Sequence, residues 1–473
     1  MVRRQVMTLA LEPILRVRRH LVIAAWVVIV GAAQVSAQEQ QRTPDLTEMP
    51  LEALMNLEVT SVSKKPQRVA DAATAIFVLT QEDIRRSGAT SVAEALRLVP
   101  GLYVARIDSN VWVVNARGFT ARFSTQFLVL VDGRAVYNPI FSGVFWDVVD
   151  MVIEDIDRIE VIRGPGAALW GANAVNGVIN IITKRARDTL GGLASVGAGT
   201  EEQGFGTLRY GAKLGDVAFR AYAKYFNRDE FVLDTPRHDG AGDAWEIVRS
   251  GVRVDAEVSE RDTLTLIGNG YRGTVGETAL VASVGSPVAT PRRFDQGVEG
   301  VDILSRWVRT LSQESSFQVQ LYYDWFRRDD LRAPGALQTY DGEIQYRFPL
   351  GGFNDVVAGL GYRYHHFDSQ PGNFVVYVPP TADLHLFNVF VQDDVTLVTK
   401  VLHLILGTKL EHTTYTGLEW EPNARLLWTP TRAHTLWGAV SRAVRTPGIA
   451  ERQEHFSVVL QPTATVPVPS VRP

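Results

Sequence analysis

Residues 159 to 184 read IEVIRGPGAALWGANAVNGVINIITK, and no other segment constrains the architecture as strongly. Two runs rich in β-branched residues flank a corner that is dense in glycine and asparagine. Glycine permits positive φ angles and close approach of two backbones, so the corner is suited to a tight fold-back. The segment therefore predicts two strands joined by a compact turn, which lead directly into the region that follows.

Residues 66 to 188, which contain this corner, predict a small α+β unit. Thr80 is placed to cap a short helix that Gly88 ends, and Ser91 with Glu94 has the spacing of a capping box. Strands are expected at 75–79, 103–106, 112–115 and 127–131, and the last of these ends at an Asp132-Gly133 turn. The apolar content suits a core of modest size.

From residue 189 onward the sequence changes to alternation of apolar and polar residues. In Phe317 to Trp325 every odd position is apolar, and the segments 217–225 and 402–410 behave similarly. Short connectors, such as Gly215-Asp216, alternate with long ones such as Arg228–Glu246 and Gly273–Gly300. Alternating long and short connectors are typical of an outer-membrane barrel. We expect about thirteen strands of roughly ten residues, the length that crosses a bilayer when tilted.

The N-terminus predicts export. Residues 1 to 37 combine a basic start, an apolar run of Leu21 to Ala33 and a small-residue cleavage site, which is the pattern of a signal peptide. The leader has five arginines against Glu12, so the remaining chain is more acidic than the overall net charge of −4. An acidic chain argues against general binding of nucleic acid. The chain has no cysteine, so packing and strand pairing must supply its stability.

Residues 38 to 65 are expected to be a flexible, exposed segment. Within it lies a β-prone string that we name the box, and its residues are Glu58, Val59, Thr60, Ser61, Val62 and Ser63. An exposed extended segment can add itself to the edge of a partner's sheet through backbone hydrogen bonds. An ordinary linker strand would have the same composition.

Taken together, these segments resemble the TonB-dependent receptors of the outer membrane. The box stands where that family has its TonB box. The residues that carry the resemblance to the family's plug domain are Arg117, Gly118, Phe119, Asp132, Gly133, Arg163, Gly164, Pro165, Gly171, Asn176 and Gly177. Ser441 to Pro447 is similar to a barrel motif of the same family.

The resemblance implies a plug (66–188) inside an antiparallel transmembrane β-barrel (189–473), in the outer membrane of a Gram-negative bacterium. It implies a receptor for a scarce nutrient, such as a siderophore–iron chelate or cobalamin, which binds at the external face. The box would be captured by TonB, which is driven by the inner-membrane proton gradient. The expected partners are TonB, outer-membrane lipid and this small ligand, and we expect a monomer without a cofactor.

The C-terminal part departs from the family pattern. Plugged transporters have about 22 strands, whereas about thirteen are expected here. The tail from Pro462 to Pro473 contains four prolines and lacks the terminal aromatic strand of the family. We therefore expect an incomplete receptor that cannot close its barrel.

No motif in the chain indicates catalysis or a metal site. His365 and His366 are adjacent, but successive residues of a strand face opposite ways, so a shared metal is not expected. An enzyme is not expected. The alternatives to an energised receptor are a passive or non-functional barrel fragment with a plug, and a soluble periplasmic module made of residues 38 to 188.

Overall fold

The computed structural model describes residues 57–118, 126–237, 239–281, 290–330, 332–372, 375–431 and 434–456, all within one compact unit. The expected signal peptide, residues 38–56 of the flexible segment, Phe119 and the proline-rich tail lie outside the described residues. Within the described part of the chain, no helix is long and apolar enough to cross a membrane.

The plug is a mixed α+β unit, as expected. Its strands are β1 (Glu58–Val59), β2 (Gln67–Arg68), β3 (Ile76–Thr80), β4 (Tyr103–Arg106), β5 (Trp112–Asn115), β6 (Phe127–Val131), β7 (Arg134–Ala135), β8 (Ile156–Arg163) and β9 (Gly177–Thr183). Its helices are α1 (Gln81–Ser87), α2 (Val92–Ala95) and α3 (Ala167–Trp170). A five-stranded sheet has the order β3–β8–β9–β6–β7, while β1 pairs with β2 and β4 with β5.

The helix caps in the plug follow the sequence with one difference. Thr80 and Asp83 form a complete capping box at α1, and Gly88 ends this helix with a φ of 72°. Ser91 accepts a bond from the Glu94 amide at 3.3 Å, as expected for the start of α2. The carboxylate of Glu94, however, accepts from the backbone N–H of Thr90 rather than that of Ser91. The second half of the predicted capping box is therefore wrong.

The core of the plug lies between this sheet and its two N-terminal helices. Leu79, Ile84, Leu96, Phe127 and Ile159 are all almost completely buried in one cluster. Strand β8 runs antiparallel to β9, whereas β6 runs parallel to β9. The corner between β8 and β9 thus completes a central pair of the sheet, as residues 159–184 predict.

The rest of the described chain forms one antiparallel sheet of thirteen strands, which confirms the expected number. These strands are β10 (Gly191–Gly197), β11 (Glu202–Leu214), β12 (Val217–Arg228), β13 (Trp245–Glu257), β14 (Asp262–Val281), β15 (Thr290–Thr310), β16 (Ser316–Arg328), β17 (Gly335–Leu350), β18 (Asn354–Ser369), β20 (Thr381–Val398), β21 (Leu402–Thr413), β22 (Gly417–Thr431) and β23 (His434–Ser441). A separate pair joins β19 (Val375–Tyr377) to β24 (Glu454–Phe456), next to helix α4 (Ile449–Gln453).

The connectors between these strands agree with the sequence except in two places, and one of them is the long connector expected over Thr413–Pro422, where β22 already begins at Gly417. Short turns join β11 to β12 and β17 to β18, and a long connector joins β12 to β13. The predicted loop over Gly273–Gly300 is wrong, because β14 and β15 remain paired as far as Val281 and Thr290. Alternation in this region is weak in the sequence, since glycine occupies several of the paired positions.

The thirteen-stranded sheet has an apolar outer face and a polar inner face. On β22, Leu418, Trp420, Leu426 and Trp428 are exposed, and the buried residues between them are Glu421, Asn423, Arg425 and one apolar residue, Leu427. The polar face contacts the plug through side chains of strands from β11 to β21. The sheet is therefore a wall whose polar side faces the plug.

Candidate functional site

The box is bound to the plug. Its first two residues are β1, which pairs with β2, and Val59 and Val62 pack into an apolar cluster of the plug sheet. Val59, Ser61, Val62 and Ser63 are all buried. The expectation of an exposed segment is therefore wrong for residues 59 to 65, whereas Glu58 is exposed. The reason is a set of contacts to residues about 100 positions away, which the local sequence does not reveal.

A buried carboxylate holds the backbone of the box. Glu160 of β8 is fully buried, and its Oε2 atom accepts from the N–H of Ser61 at 2.8 Å and that of Thr60 at 3.1 Å. Arg158 lies two positions earlier on the same face of the strand and donates to Glu160 Oε1 at 2.8 Å. The arginine balances the buried negative charge, and the amides of the box complete its hydrogen bonding.

Two further plug residues bind Ser61. The indole N–H of Trp170 donates to the carbonyl oxygen of Ser61 at 2.7 Å. The side-chain amide of Asn180 donates to the Ser61 hydroxyl at 3.0 Å. The N–H, carbonyl and hydroxyl of Ser61 are thus all engaged, by residues of β8, α3 and β9. All three partners belong to the segment 159–184.

Two lysines that follow the box join it to the wall. The ammonium of Lys64 lies 2.7 Å from Glu343 on β17 and 4.3 Å from the ring centroid of Phe390. Lys65 lies 2.7 Å from Asp355 on β18 and also contacts Asp394 at 3.2 Å. Burial lowers the pKa of Lys64, and the attraction of Glu343 opposes this shift. The end of the box is therefore tied to both plug and wall.

The Asp132-Gly133 turn also fastens the plug to the wall. Both residues have positive φ, 50° and 87°, as a tight hairpin between β6 and β7 requires. The Asp132 carboxylate accepts from the N–H and hydroxyl of Thr183 at 2.9 and 2.8 Å. On the wall, Arg306 donates to the Asp132 carbonyl, and Gln320 donates to the Gly133 carbonyl at 3.1 Å.

Arg134, the next residue, extends this contact. Its guanidinium lies 2.7 Å from Asp302 and also pairs with Asp324, so one plug residue contacts two neighbouring wall strands. Burial acts to lower its pKa, but the attraction of the two aspartates leaves the pKa of Arg134 above its ordinary value. Asp132 and Arg134 therefore fix the β6–β7 hairpin against the wall.

The glycines of the corner allow close contacts that a side chain would prevent. A Cβ atom on Gly171, whose φ is 84°, would lie 2.1 Å from the Glu411 carboxylate. A Cβ atom on Gly177 would lie 2.0 Å from the carbonyl oxygen of Ile162. The backbone N–H of Gly164, the residue before Pro165, donates to the carbonyl oxygen of Asn176 at 2.9 Å. These residues therefore shape the corner.

Arg117 and Arg163 serve the plug internally. Arg163 donates to the carbonyl oxygen of Pro100 at 2.8 Å. Arg117 and Gly118 both have positive φ, 60° and 77°, and the Arg117 guanidinium lies near Gly164. Among the hydrogen bonds and ion pairs found in the described residues, Asp132 contacts the wall through Arg306 and Arg253, whereas Arg163 bonds within the plug.

Two motifs that look separate in the sequence meet in space. Asn173, with a φ of 75°, donates from its side chain to the Thr446 hydroxyl at 3.0 Å and accepts from the Thr446 N–H at 3.0 Å. The Asn173 N–H also donates to the Val444 carbonyl at 2.8 Å. The corner of the plug is thus bonded to the Ser441–Pro447 motif, a contact that a single sequence without an alignment does not predict.

A cavity of about 590 Å³ lies between the β6–β7 edge of the plug and the wall. The box side of the cavity is lined by Thr60, Lys64 and Pro66. Its size falls in the range of small-molecule sites, about 300–1,000 Å³. At the end of the wall that carries the long β12–β13 connector, the tip of the β4–β5 hairpin is bonded to Asp243 through Ser109 and Asn110. Among the described residues, no group of three His, Cys, Asp or Glu side chains is arranged to hold a metal.

Comparison with protein families agrees with this architecture. Residues 68–178 match the family model of the TonB-dependent receptor plug domain. Residues 183–473 match the TonB-dependent receptor-like β-barrel model, which covers more than half of the chain. The chain belongs to the TonB-dependent receptors. It is accordingly a protein of the Gram-negative outer membrane, and a soluble module limited to residues 38–188 is the wrong interpretation.

Individual TonB-dependent receptors resemble parts of this chain. The vitamin B12 transporter BtuB of Vibrio vulnificus is 33% identical over 150 residues, covering 31% of this chain and 23% of that protein. The iron-regulated outer membrane virulence protein of Vibrio cholerae is 23% identical over 420 residues, covering 81% of this chain and 59% of that protein. The chain thus spans less than two thirds of the length of these relatives.

Solved receptors share the fold. The siderophore receptor PirA from Acinetobacter baumannii has a TM-score of 0.64 and 16% identity, covering 82% of this chain and 63% of that one. A variant of the ferric enterobactin receptor PfeA from Pseudomonas aeruginosa has a TM-score of 0.63 and 19% identity, covering 81% and 63% of the two chains. At these identities the likeness concerns the fold.

Proposed function

We propose that this chain is part of an energised uptake receptor, in which TonB captures the box and pulls on the plug. The observation that carries the proposal is the position of the box. It adjoins the plug sheet, its following lysines pair with Glu343 and Asp355 on the wall, and it borders the 590 Å³ cavity. A pull on the box would therefore act on both the plug and the wall, at the edge of this cavity.

The work is needed because the plug is fastened inside the wall by buried polar contacts. Asp132, Gly133 and Arg134 bind the wall on one side, and Asn173 binds the Ser441–Pro447 motif on another. Each such bond contributes about 0.5–1.5 kcal/mol, or about 1.5–3 kcal/mol where a charge is involved. Thermal motion alone would open such an array rarely, whereas a directed pull can break the contacts in sequence.

For the ligand, we propose a siderophore–iron chelate or cobalamin. The support is the printed function of relatives, since BtuB is a vitamin B12 transporter and PirA of Pseudomonas aeruginosa is a ferric enterobactin receptor. The cavity beside β6 and β7 would lie on the route of the ligand once Thr60 and Lys64 are withdrawn. A passive or non-functional barrel is the competing proposal.

A proline in the box distinguishes these proposals. Proline has no N–H and cannot pair within a sheet, so Val62→Pro should prevent strand addition to TonB. Val62→Ala keeps the N–H and is the matched control. Uptake of radiolabelled cobalamin and of ferric enterobactin would be measured in cells that produce each variant. We expect uptake of one ligand to fall to background in Val62→Pro and to persist in Val62→Ala. Equal uptake by both variants would favour the passive barrel.

A further inference from the structure

We infer that the inner face of β11 to β13 is a fixed anchor for the plug, and that the plug separates from the wall first on the opposite side, along β17 to β22. The plug residues that bind this face are 147–155, which read DVVDMVIED, and we name them the anchor segment. The consequence for transport rests on the proposed function, because a pull would then turn the plug about the anchor. The anchor itself is a property of the resting protein.

The anchor segment is acidic, and the strands that it faces are basic. Asp155 lies 2.6 Å from Arg209 on β11 and 3.5 Å from Arg220 on β12. Asp150 lies 2.6 Å from Lys224, which is also on β12. Each of these five side chains is at most 11% exposed. Close charge pairs at a desolvated interface couple its two sides strongly, so this side of the plug resists separation.

The basic strands also hold the backbone of the anchor segment. Lys224 donates to the carbonyl oxygen of Met151 at 2.9 Å, and Arg249 on β13 donates to that of Val148. Hydrogen bonds from charged donors are stronger than those from neutral donors. A cation that lost its partners here would remain on the inner face of the wall with its hydrogen bonding unsatisfied, which adds to the cost of separation.

The chain itself joins the plug to the wall on this side. Residues 184–190 lead from β9 of the plug to β10, which pairs with β11. Within this connection, the N–H of Ala186 donates to the Asp255 carboxylate on β13 at 2.6 Å. The carbonyl oxygen of Lys184 accepts from Arg220 at 2.7 Å. The connection is thus bonded to the same strands as the anchor segment, and it limits how far the plug can move away from them.

The opposite side of the plug lacks this combination. In the described residues, the ion pairs found between the plug and β17 to β22 are those of Lys64 and Lys65, which follow the box and would leave the wall with it. The plug donors to Glu411 and Thr446 are uncharged, namely a backbone N–H and a side-chain amide of residues 172 and 173. The 590 Å³ cavity borders these two plug residues as well. Separation should therefore begin on this side.

The absence of native cysteine allows a direct test on the full chain in outer membranes. Val152 lines a smaller plug–wall cavity together with Arg220, and Leu169 packs against Phe390 on β20. Val152 is 1% exposed and Leu169 is 2% exposed, so the two positions are matched in burial. A single cysteine replaces each residue in turn, and its labelling by a water-soluble maleimide is timed. We expect Leu169→Cys to react at least about tenfold faster than Val152→Cys, because more charged contacts must break at the anchor.

Two substitutions test the charges of the anchor. Asp150→Asn removes the charge on the plug, and Lys224→Gln removes that of its partner on the wall. Each should raise the labelling rate of Val152→Cys about tenfold, which corresponds to the loss of one hydrogen bond to a charged group. Each should leave the labelling rate of Leu169→Cys unchanged. Glu411→Gln removes a charge on the opposite side and is the matched control, which should leave Val152→Cys unchanged.

A third reporter, Val129→Cys in the buried strand β6, shows whether the plug has unfolded and should react most slowly. If it reacts in Asp150→Asn, that variant has unfolded, and Lys224→Gln decides the outcome. Equal rates at Val152→Cys and Leu169→Cys, or a faster rate at Val152→Cys, would refute the anchor. Unchanged labelling of Val152→Cys in the folded charge variants would refute it too.

These measurements contain neither TonB nor ligand, so their result is independent of the proposed function. If the labelling rates follow the expected order while uptake does not depend on the box, the proposed function fails and the anchor stands. If uptake depends on the box while the labelling rates are equal on the two sides, the proposed function stands and the anchor is refuted.

Discussion

The plug and the wall bury opposite kinds of side chain. In the plug, Phe127, Ile159 and Leu79 lie inside and charged helix residues such as Arg85 lie outside. In the wall, residues such as Arg306 and Gln320 point inward while leucines and tryptophans point outward. The hydrophobic effect acts in both regions, but the wall meets lipid on its outer face and the polar plug surface on its inner face. Alternation of apolar and polar residues along a strand therefore does not reveal which of the two faces points to the inside of the protein.

The largest expected effect tests the core of the plug. Phe127→Ala removes a ring that is only 2% exposed and should reduce plug stability by about 3–5 kcal/mol. Tyr103→Ala, on the exposed part of the same domain, should cost less than about 1 kcal/mol. Native-state hydrogen exchange of plug amides measures both values. Similar losses for the two variants would contradict a core-dependent plug.

The next effect tests the outer face of the wall. Leu321 is 55% exposed at the centre of β16, and Leu321→Arg should destabilise the protein by about 2–4 kcal/mol in lipid. Gln318 lies on the opposite face of the same strand and borders the cavity, so Gln318→Arg should cost less than about 1 kcal/mol. Reversible urea unfolding in lipid vesicles compares the two. A larger cost at Gln318 would reverse the assignment of the faces.

A third prediction concerns the joint between the regions. Gly133 has a φ of 87°, and an added Cβ atom would lie 2.8 Å from Arg306 and 2.9 Å from Gln320. Gly133→Ala should cost about 2–3 kcal/mol, because backbone strain adds to the displacement of Arg306 and Gln320 from the carbonyl oxygens that they bind. Gly88 has a similar φ but open space, so Gly88→Ala should show only the strain, about 1 kcal/mol. Hydrogen exchange measures the loss of stability in both variants. Equal losses would mean that a side chain at residue 133 does not disturb the contact between the turn and the wall.

The smallest effect tests the cap at the start of α2, a local signal in the plug. Ser91→Ala removes the hydroxyl that caps α2 and should cost about 1 kcal/mol, whereas Ser91→Gly should cost only a few tenths. The same hydrogen-exchange experiment on the amides of α2 measures both. Equal costs for alanine and glycine would show that the hydroxyl contributes little.

Much of this architecture follows from local patterns in the sequence. The thirteen strands of the wall, the strands β4 to β6, the Asp132-Gly133 turn and the cap at Thr80 depend on alternation and on turn or cap chemistry within a few residues. The long strands β14 and β15 were not predicted, because glycines interrupt the alternation where their pairing continues.

The position of the box could not be predicted in the same way. It depends on Glu160 and Asn180, which are about 100 residues away, and on Glu343, which is farther still. One signal was available, since a lone glutamate between Ile159 and Val161 requires a buried partner. The sequence does not say which segment supplies that partner. The bond between Asn173 and Thr446 is equally non-local.

The orientation of the wall decides which of its faces meets lipid and which meets the plug, and a cysteine scan of Phe317 to Trp325 tests it directly. Each position is spin-labelled in turn in native lipid, and collision with lipid-dissolved oxygen is compared with collision with a water-soluble nickel complex. We expect a period of two, with odd positions such as Leu321 and Tyr323 accessible to oxygen and even positions such as Gln320 shielded from it. Oxygen access at the even positions, or at none of the nine, would contradict a polar-faced wall around the plug.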